Sequence, residues 1–324
     1  MKHRGRQCRI CYFYRSVNGV SYRPGYISLY RSGELRKRGE ALWEMLKDCR
    51  LCPRECRVNR IKRERGFCKA TSTLRVASYS PHFGEERPLV GVGGSGTIFL
   101  SLCNLGCVFC QNWDISHKGA GTDCEIADLA GMMLQLQETG CHNINVVTPT
   151  HFSPHLFLAL DLAASSGLRI PLVYNTSGWE RKEILEILDG VVDIYLTDFK
   201  YMDAQHAATY SNDAADYPDV TRSALIEMNR QVGVARPEKN GIIYKGLMIR
   251  HLVMPNNVSG SMAAMEWIAD HLPLETYVNI MIQYRPAYRA HLYPEIDGYV
   301  SRDFYKEVVT GARNLGLTNL DVDI

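Results

Sequence analysis

The amino-acid sequence predicts an α/β protein: a partial, six-stranded β/α barrel preceded by a small cysteine-rich lobe. Three observations predict it. Beyond residue 70, short apolar runs alternate with amphipathic helical patterns, as repeated βα units require. Six of these runs have the length and β-branched character of buried parallel strands. Finally, nine of the eleven cysteines fall into tight groups, and two of the groups (Cys8 and Cys11; Cys49, Cys52, Cys56 and Cys68) precede the first barrel strand. The division that follows is a basic cysteine-rich lobe over 1–70 and a barrel with a C-terminal helix over 71–324.

Residues 1 to about 34 hold no sustained period and are rich in Tyr, Arg, Ser and Gly, which reads as a segment that wraps over another surface or stays partly mobile. Leu35, Leu42, Trp43 and Leu46 then mark a helix running into Cys49. Gly91, Gly93, Gly94 and Gly96 precede the first barrel strand, but no Lys-Ser/Thr completes a phosphate loop, so a flexible entry turn is expected. The six strands are read at Thr97 to Leu102, Asn143 to Val147, Ile170 to Tyr174, Val192 to Thr197, Gly246 to Met254 and Tyr277 to Ile282. Helices are read at Glu125 to Thr139, His155 to Ser166, Arg181 to Leu188, Thr221 to Val232, Gly260 to Leu272 and Arg302 to Leu315. A parallel sheet presents its chemistry at the carboxyl ends of its strands, so the residues that follow each run are the candidates for function.

Composition excludes several classes. With 46% apolar and 22% charged residues, the chain has the make-up of a soluble globular protein. No run of eighteen apolar residues occurs, and the start MKHRGRQCRICYFYR lacks the apolar stretch of a secretory signal, so a cytoplasmic protein with no membrane partner is expected. The net charge of +2 conceals +13 over residues 1–70 and −11 over the remainder. Such a basic segment suits RNA or an acidic partner, yet no nucleic-acid motif accompanies it, and covering the acidic barrel is the favoured reading. Cys124 and Cys141 stand alone and read as small buried apolar side chains.

Disulfides are disfavoured in the cytoplasm, so the clustered cysteines point to metal or cluster ligation. The segment SLCNLGCVFCQN sets Cys103, Cys107 and Cys110 in C-x3-C-x2-C spacing directly after an apolar strand. Thiolates are soft ligands that suit iron–sulfur clusters, and three of them on a four-iron cube leave one iron free to bind a small molecule. Zinc in a closed site takes four ligands, which three cysteines on one tight loop fit less well. Cys49, Cys52, Cys56 and Cys68 form a four-thiolate set that accommodates either tetrahedral zinc or an auxiliary [4Fe-4S] cluster. Cys8 and Cys11 alone decide nothing.

The C-x3-C-x2-C loop resembles the signature of the radical SAM superfamily, and its CQN ending resembles the CHN of the pyruvate formate-lyase-activating enzymes. The stretches GEERPLVGVGGSGTIFLSLCNLGCVFCQNWDIS, NINVVTPTHFSPH, PLVYNTSGWE, VVDIYLTDFKY, IRHLVMPN and YVNIMIQYRP extend the likeness to a branch related to those enzymes, over nearly the whole chain from about Tyr26. The resemblance implies a partial barrel of radical SAM type with a [4Fe-4S] cluster on Cys103, Cys107 and Cys110. S-adenosylmethionine would be chelated to the open iron through its amino and carboxylate groups.

In those relatives an Asp-Thr pair after the third strand and an Asp-x-Lys after the fourth hold the methionine end of the cofactor and a nearby monovalent cation. Here Asn175-Thr176 and Asp198-Phe199-Lys200 stand at those places, and Arg250 matches an arginine that supports the cofactor. On charge alone, Lys200 suits the cofactor carboxylate and Asp198 offsets cationic charge beside it. The plainer alternatives are a turn cap for Asn175 and a solvated Asp198–Lys200 pair. The sequence departs from the superfamily after the second strand, where Gly-Gly-Glu is replaced. Thr148 and Thr150 then remain as oxygen acceptors, and His151 is expected to face the pocket. Gln283, Tyr284 and Arg285 stand where adenine or substrate contacts would lie, a satisfied core tyrosine being equally open, and His251 reads as structural. The activity implied is oxidoreductase or activase-like. It would need an electron donor such as flavodoxin or ferredoxin and a protein substrate carrying a glycine. A small molecule, peptide or RNA substrate is the alternative within the same chemistry, and a non-catalytic zinc or Fe-S nucleic-acid-binding protein the alternative outside it.

Overall fold

A computed structural model describes residues 22–323, so Cys8 and Cys11 lie outside the described residues. The strands are β1 (Leu74–His82), β2 (Ser95–Leu100), β3 (Thr122–Cys124), β4 (Ile144–Val147), β5 (Leu172–Thr176), β6 (Ile194–Asp198), β7 (Gly246–Leu252), β8 (Tyr277–Met281) and β9 (Leu320–Val322). They form one sheet in the order β3-β1-β2-β4-β5-β6-β7-β8-β9. From β2 to β9 all neighbours are parallel, whereas β1 is antiparallel to both β2 and β3. The result is a mixed α/β fold with a mostly parallel sheet, and β3 and β9 remain open edges rather than closing a barrel.

All six expected strands are present as β2 and β4–β8, but the sheet has nine, and the six-strand expectation is corrected. β9 is three residues long and β1 alternates only weakly, with Ser78, Tyr79, Ser80 and Pro81 exposed, so neither carried an apolar run to be read. The third expected strand is displaced by two residues. Pro171 carries no N–H to pair, although its carbonyl accepts from Ile144 N, and regular pairing starts at Leu172. Asn175 and Thr176 are therefore the last residues of β5 itself.

The six expected helices occur at Ile126–Glu138, Ser153–Ser165, Lys182–Leu188, Tyr217–Val232, Ser261–His271 and Arg302–Asn314. Among the described residues no helix is long and apolar enough to cross a membrane. The Leu35 periodicity becomes the helix Glu34–Glu44. Part of the segment read as irregular is also helical, over Tyr26–Ser32, and Tyr26 and Ile27 are buried in the main core. At seven residues this helix is too short to show a period.

One hydrophobic core joins Leu35, Leu42, Leu46, Leu51 and Ala70 to the outward-facing residues of the sheet and its covering helices. The helix Glu34–Glu44 lies on Ser153–Ser165 because Gly39 permits it. A Cβ there would stand 3.0 Å from Leu158 Cδ2 and 3.1 Å from Phe157 Cβ. The buried Asp193 carboxylate accepts from Tyr22 Oη at 2.7 Å, Gly25 N at 2.9 Å and Leu172 N at 2.9 Å, fastening the amino-terminal segment to the base of the sheet. A second core of Leu89, Val173, Ile194, Leu196, Met248 and Tyr277 fills the concave side. Above it, toward the carboxyl ends of the strands, the inward positions become polar.

Candidate metal and cofactor site

A cleft of about 200 Å³ opens at the carboxyl ends of β2, β4, β5, β6 and β7. Cys103, Cys107 and Cys110 line it, opposite Thr148, Asn175, Thr176, Asp198, Lys200 and Arg250. Segments separated by up to about 150 positions in the sequence thus meet in one place. The GVGGSG stretch is elsewhere: a Cβ on Gly93 would stand 2.0 Å from Gly140 O, so the turn is a close backbone contact.

Register explains the charged wall. Asp198 on β6 and Arg250 on β7 are direct lateral partners, so their side chains rise together from the concave face. Arg250 Nε donates to Asp198 Oδ1 at 2.9 Å and Arg250 Nη2 to Asn175 Oδ1 at 2.6 Å, while Lys200 Nζ donates to Asp198 Oδ2 at 2.5 Å. Glu85 completes the chain at 3.8 Å from Arg250 Nη1. The side chains of Asp198 and Lys200 are only 15% and 18% exposed, which removes the solvated-pair reading. Burial alone would raise the Asp198 carboxyl, but Arg250 and Lys200 beside it prevail and hold it below its ordinary value. Burial would likewise lower Lys200, and Asp198 and Cys107 reverse the direction. Asn175 caps no turn; its amide oxygen fixes the arginine.

Two cleft residues, Leu102 at φ 73° and Thr148 at φ 56°, occupy the left-handed backbone region. This costs on the order of 1 kcal/mol or more each for a residue with a β-carbon. It turns the chain sharply as it leaves β2 into the cysteine loop and β4 into the next segment. Gly178 at φ 82° has a different reason: a Cβ would stand 2.2 Å from Asp198 O, so only glycine lets the β5 loop cross the end of β6.

The thiols are free, and each is approached by a donor. Leu105 N lies 3.4 Å from Cys103 Sγ, Ser211 Oγ donates to Cys107 Sγ at 3.2 Å, and Ser116 Oγ is 3.1 Å from Cys110 Sγ. Burial pushes the Cys107 thiol up to about 12, with Lys200 and Ser211 pulling the other way. Buried thiols of this kind become thiolates when a soft metal replaces their protons, and donors to sulfur are what tunes an iron–sulfur cluster. In the same wall Ser177 Oγ is buried with no hydrogen-bond partner among the described residues, a polar atom available to a bound group. The residues therefore fit a cluster with a polar ligand beside it. Among the described residues, no three His, Cys, Asp or Glu side chains converge closely enough to share one ion.

Two expected site residues turn away. Thr150 is buried outside the cleft and donates from Oγ1 to Glu180 Oε1 at 2.5 Å, because the chain enters a 3-10 turn at Thr150–Phe152 rather than continuing extended. His151, also buried, bonds through Nε2 to Ser101 O at 2.9 Å and lines a different cavity. Tyr284 is a satisfied core tyrosine, donating to Ile296 O at 2.7 Å, and Arg285 is exposed. Gln283 lines a neighbouring acidic cavity that shares Arg250. His251 is buried between Phe199 O and Ser261 Oγ, a structural role as expected. Cys141 is buried and Cys124 half-buried.

Sequence reasoning missed five supporting residues. Arg54 donates from Nε to Asn104 O at 3.1 Å and from Nη2 to Leu105 O and Ser211 O, both at 3.2 Å, so the amino-terminal segment holds the cysteine loop. Ser211 and His117 touch Cys107 at its sulfur and its carbonyl. Glu85 steadies Arg250, and the fully buried Glu180 receives both Thr150 and the cleft residue Thr176. Burial raises Glu180 to about 7, the two hydroxyls pulling down. None belongs to a periodic pattern; Glu85, within GEERP, and Glu180, at the end of PLVYNTSGWE, lie inside stretches that carry the resemblance.

No family model matches the chain. It is 33% identical over 287 residues to Uncharacterized protein MJ0674 of Methanocaldococcus jannaschii, a match that covers 86% of this chain and 77% of the archaeal one. The chain belongs to the same protein family as this archaeal protein.

Proposed function

We propose that the protein is a radical SAM enzyme whose [4Fe-4S] cluster is held by Cys103, Cys107 and Cys110. The observation that carries the reading is that these three thiols share one cleft with Asn175, Thr176, Asp198, Lys200 and Arg250 at the carboxyl edge of a parallel sheet. The chemistry such a cluster supplies is one electron to the sulfonium of S-adenosylmethionine, releasing methionine and a 5′-deoxyadenosyl radical that takes a hydrogen atom from the substrate.

The side chains bind and orient. Lys200 offers its ammonium to a carboxylate, and Asp198, fixed between two cations, keeps that ammonium in place. Arg250 is held by Asp198, Asn175 and Glu85, so it presents a fixed charge to the floor of the cleft. Thr148, Thr176 and Ser177 supply oxygen atoms for an amino group, in place of the missing acidic residue. Phe99, Leu102, Leu105 and Val147 form the apolar wall that excludes water from a reactive intermediate.

The test is anaerobic reconstitution of the full chain with iron and sulfide, followed by S-adenosylmethionine and dithionite. A brown protein that forms 5′-deoxyadenosine, and a Cys107→Ser variant that does not, support the reading. Stoichiometric zinc on Cys103, Cys107 and Cys110, with no turnover, overturns it. The hydrogen donor we propose is a glycine of a partner protein, motivated by the resemblance to the activating enzymes, and a glycyl electron-resonance signal on a partner tests it. Deuterium moving from a labelled small molecule into deoxyadenosine replaces that partner with a metabolite.

A further inference from the structure

We propose that Cys49, Cys52, Cys56 and Cys68 hold a second [4Fe-4S] cluster, fully ligated by protein and in electronic contact with the first. This rests on the reading of the Cys103 loop given above. All four side chains line a single internal cavity, together with Arg54, Arg60, Gly66 and His151.

The surroundings are built for an anionic metal centre. Arg60 is 1% exposed; its guanidinium lies over the Phe152 ring, donates to Thr71 O and His151 O, stands 3.9 Å from the sulfur of Cys49 through Nη1, and among the described residues forms no ion pair with a carboxylate. A buried cation is costly unless a negative charge answers it, and four thiolates around a cluster carry a net negative charge. Arg54 lines the same cavity, stacked on Phe67 at 3.7 Å. The backbone is bent to turn the sulfurs inward: Glu55, Arg57 and Lys69, each beside a ligand cysteine, lie at φ 37°, 56° and 62°. Phe67 N reaches Cys56 Sγ at 3.4 Å, and a Cβ on Gly66 would stand 2.7 Å from that sulfur. Metal binding is the usual source of energy for so irregular a loop.

A cluster is favoured over zinc by place, because the set adjoins the Cys103 loop, where a one-electron centre has a use and redox-inert zinc has none. Zinc draws four sulfurs to about 2.3 Å from one point. The four cysteines line one cavity, and by ligand count they suit either centre. In a cubane each sulfur binds its own iron, so the ligands stand apart around a core.

The two cysteine sets adjoin. Phe67, whose neighbour is Cys68, packs against Gly106, whose neighbour is Cys107; a Cβ on Gly106 would stand 3.0 Å from Phe67 Cζ. Arg54 bridges them, lying between Cys52 and Cys56 in the sequence and binding the carbonyls of Asn104 and Leu105. An electron from a one-electron donor protein of flavodoxin or ferredoxin type would reduce the second cluster by one unit and pass to the first. No bond is made or broken in that step.

Iron and sulfide counts on the full chain, reconstituted anaerobically, test the site. The wild type is expected to hold about eight irons, and a Cys103→Ser/Cys107→Ser/Cys110→Ser variant about four, in a cluster whose resonance ignores S-adenosylmethionine. A Cys52→Ser/Cys56→Ser variant should lose the complementary four. Reduced wild type should show a spectrum broadened by spin coupling relative to the sum of the two variants. The proposal is overturned if the triple variant binds zinc, or binds no metal. It is also overturned if the doubly reduced spectrum is a simple sum. A wild type with about four irons, all lost in the triple variant and perturbed by S-adenosylmethionine, overturns the second cluster while leaving the first intact. Iron that persists in the triple variant, with a wild-type resonance blind to S-adenosylmethionine, instead overturns the function proposed for the Cys103 loop.

Discussion

Replacing Glu180 by Gln isolates a buried acid that reports on the wall of the cleft. Glu180 lies beneath Thr176 and accepts from the hydroxyls of Thr150 and Thr176 through Oε1, while Oε2 has no partner among the described residues. Burial raises the carboxyl from 4.5 to about 7. The protonated form is therefore preferred in the folded protein. The stabilisation from proton uptake is fully present below pH 4.5 and is lost as pH rises through 7, because over that window the folded state binds more protons than the unfolded one. At about 1.4 kcal/mol for each pH unit of the window, the loss is about 3 kcal/mol. Gln cannot titrate, so the variant lacks this slope. Urea unfolding of the full chain at intervals from pH 5 to pH 8 should show wild type losing about 3 kcal/mol relative to Glu180→Gln across the window. The absolute stability of the variant depends on how its new amide N–H₂ is accommodated, but the slope does not. Parallel curves for the two proteins, or a wild type that gains stability relative to the variant, would refute the placement of this carboxyl in an apolar, water-free position.

Three further outcomes follow from the same geometry. Asp198→Asn leaves Lys200 and Arg250 without their shared counter-charge and should cost about 3 kcal/mol in urea unfolding, with weaker binding of S-adenosylmethionine in equilibrium dialysis. Arg54→Ala strips a donor from three loop carbonyls and should cost roughly 2–4 kcal/mol; iron should leave the Cys103 loop faster when a chelator is added. Gly178→Ala forces a Cβ onto the Asp198 carbonyl from a left-handed backbone and should lower the unfolding free energy by about 3 kcal/mol or more, seen as a lower melting temperature. Gly131→Ala, in a half-buried helical position with open space around the added Cβ, is the control and should be neutral or slightly stabilising.

The parallel part of the fold was readable because strands buried on both faces are continuous apolar runs, as in β5 (LVYNT) and β6 (IYLTD). Polar and very short strands carry no such signal, which is why β1, β3 and β9 were not anticipated. The site divides in the same way. Cys103, Cys107 and Cys110 announce themselves by spacing within one loop, whereas Asn175, Asp198 and Arg250 came from the family resemblance, the first two at strand ends and Arg250 within its strand. Thr150 was misplaced because a single turn of 3-10 helix rotates its hydroxyl from the cleft toward Glu180. Arg54, Glu85, Glu180 and Ser211 stood in no pattern, since each acts through a partner that is remote in sequence or reached only through a turn.

What the sequence determined by itself is local: the alternation of strand and helix, the cysteine groups, and the charged residues Asp198 at the end of β6 and Arg250 within the β7 run. Those features depend on neighbours within a few positions, where periodicity and spacing are set directly by the chain. Tertiary structure alone decided that Asp198 neutralises both Lys200 and Arg250, that Thr150 leaves the cleft, and that the four amino-terminal cysteines enclose one void beside the Cys103 loop. Strand register and the packing of distant loops set these relations, because burial and charge pairing act through space.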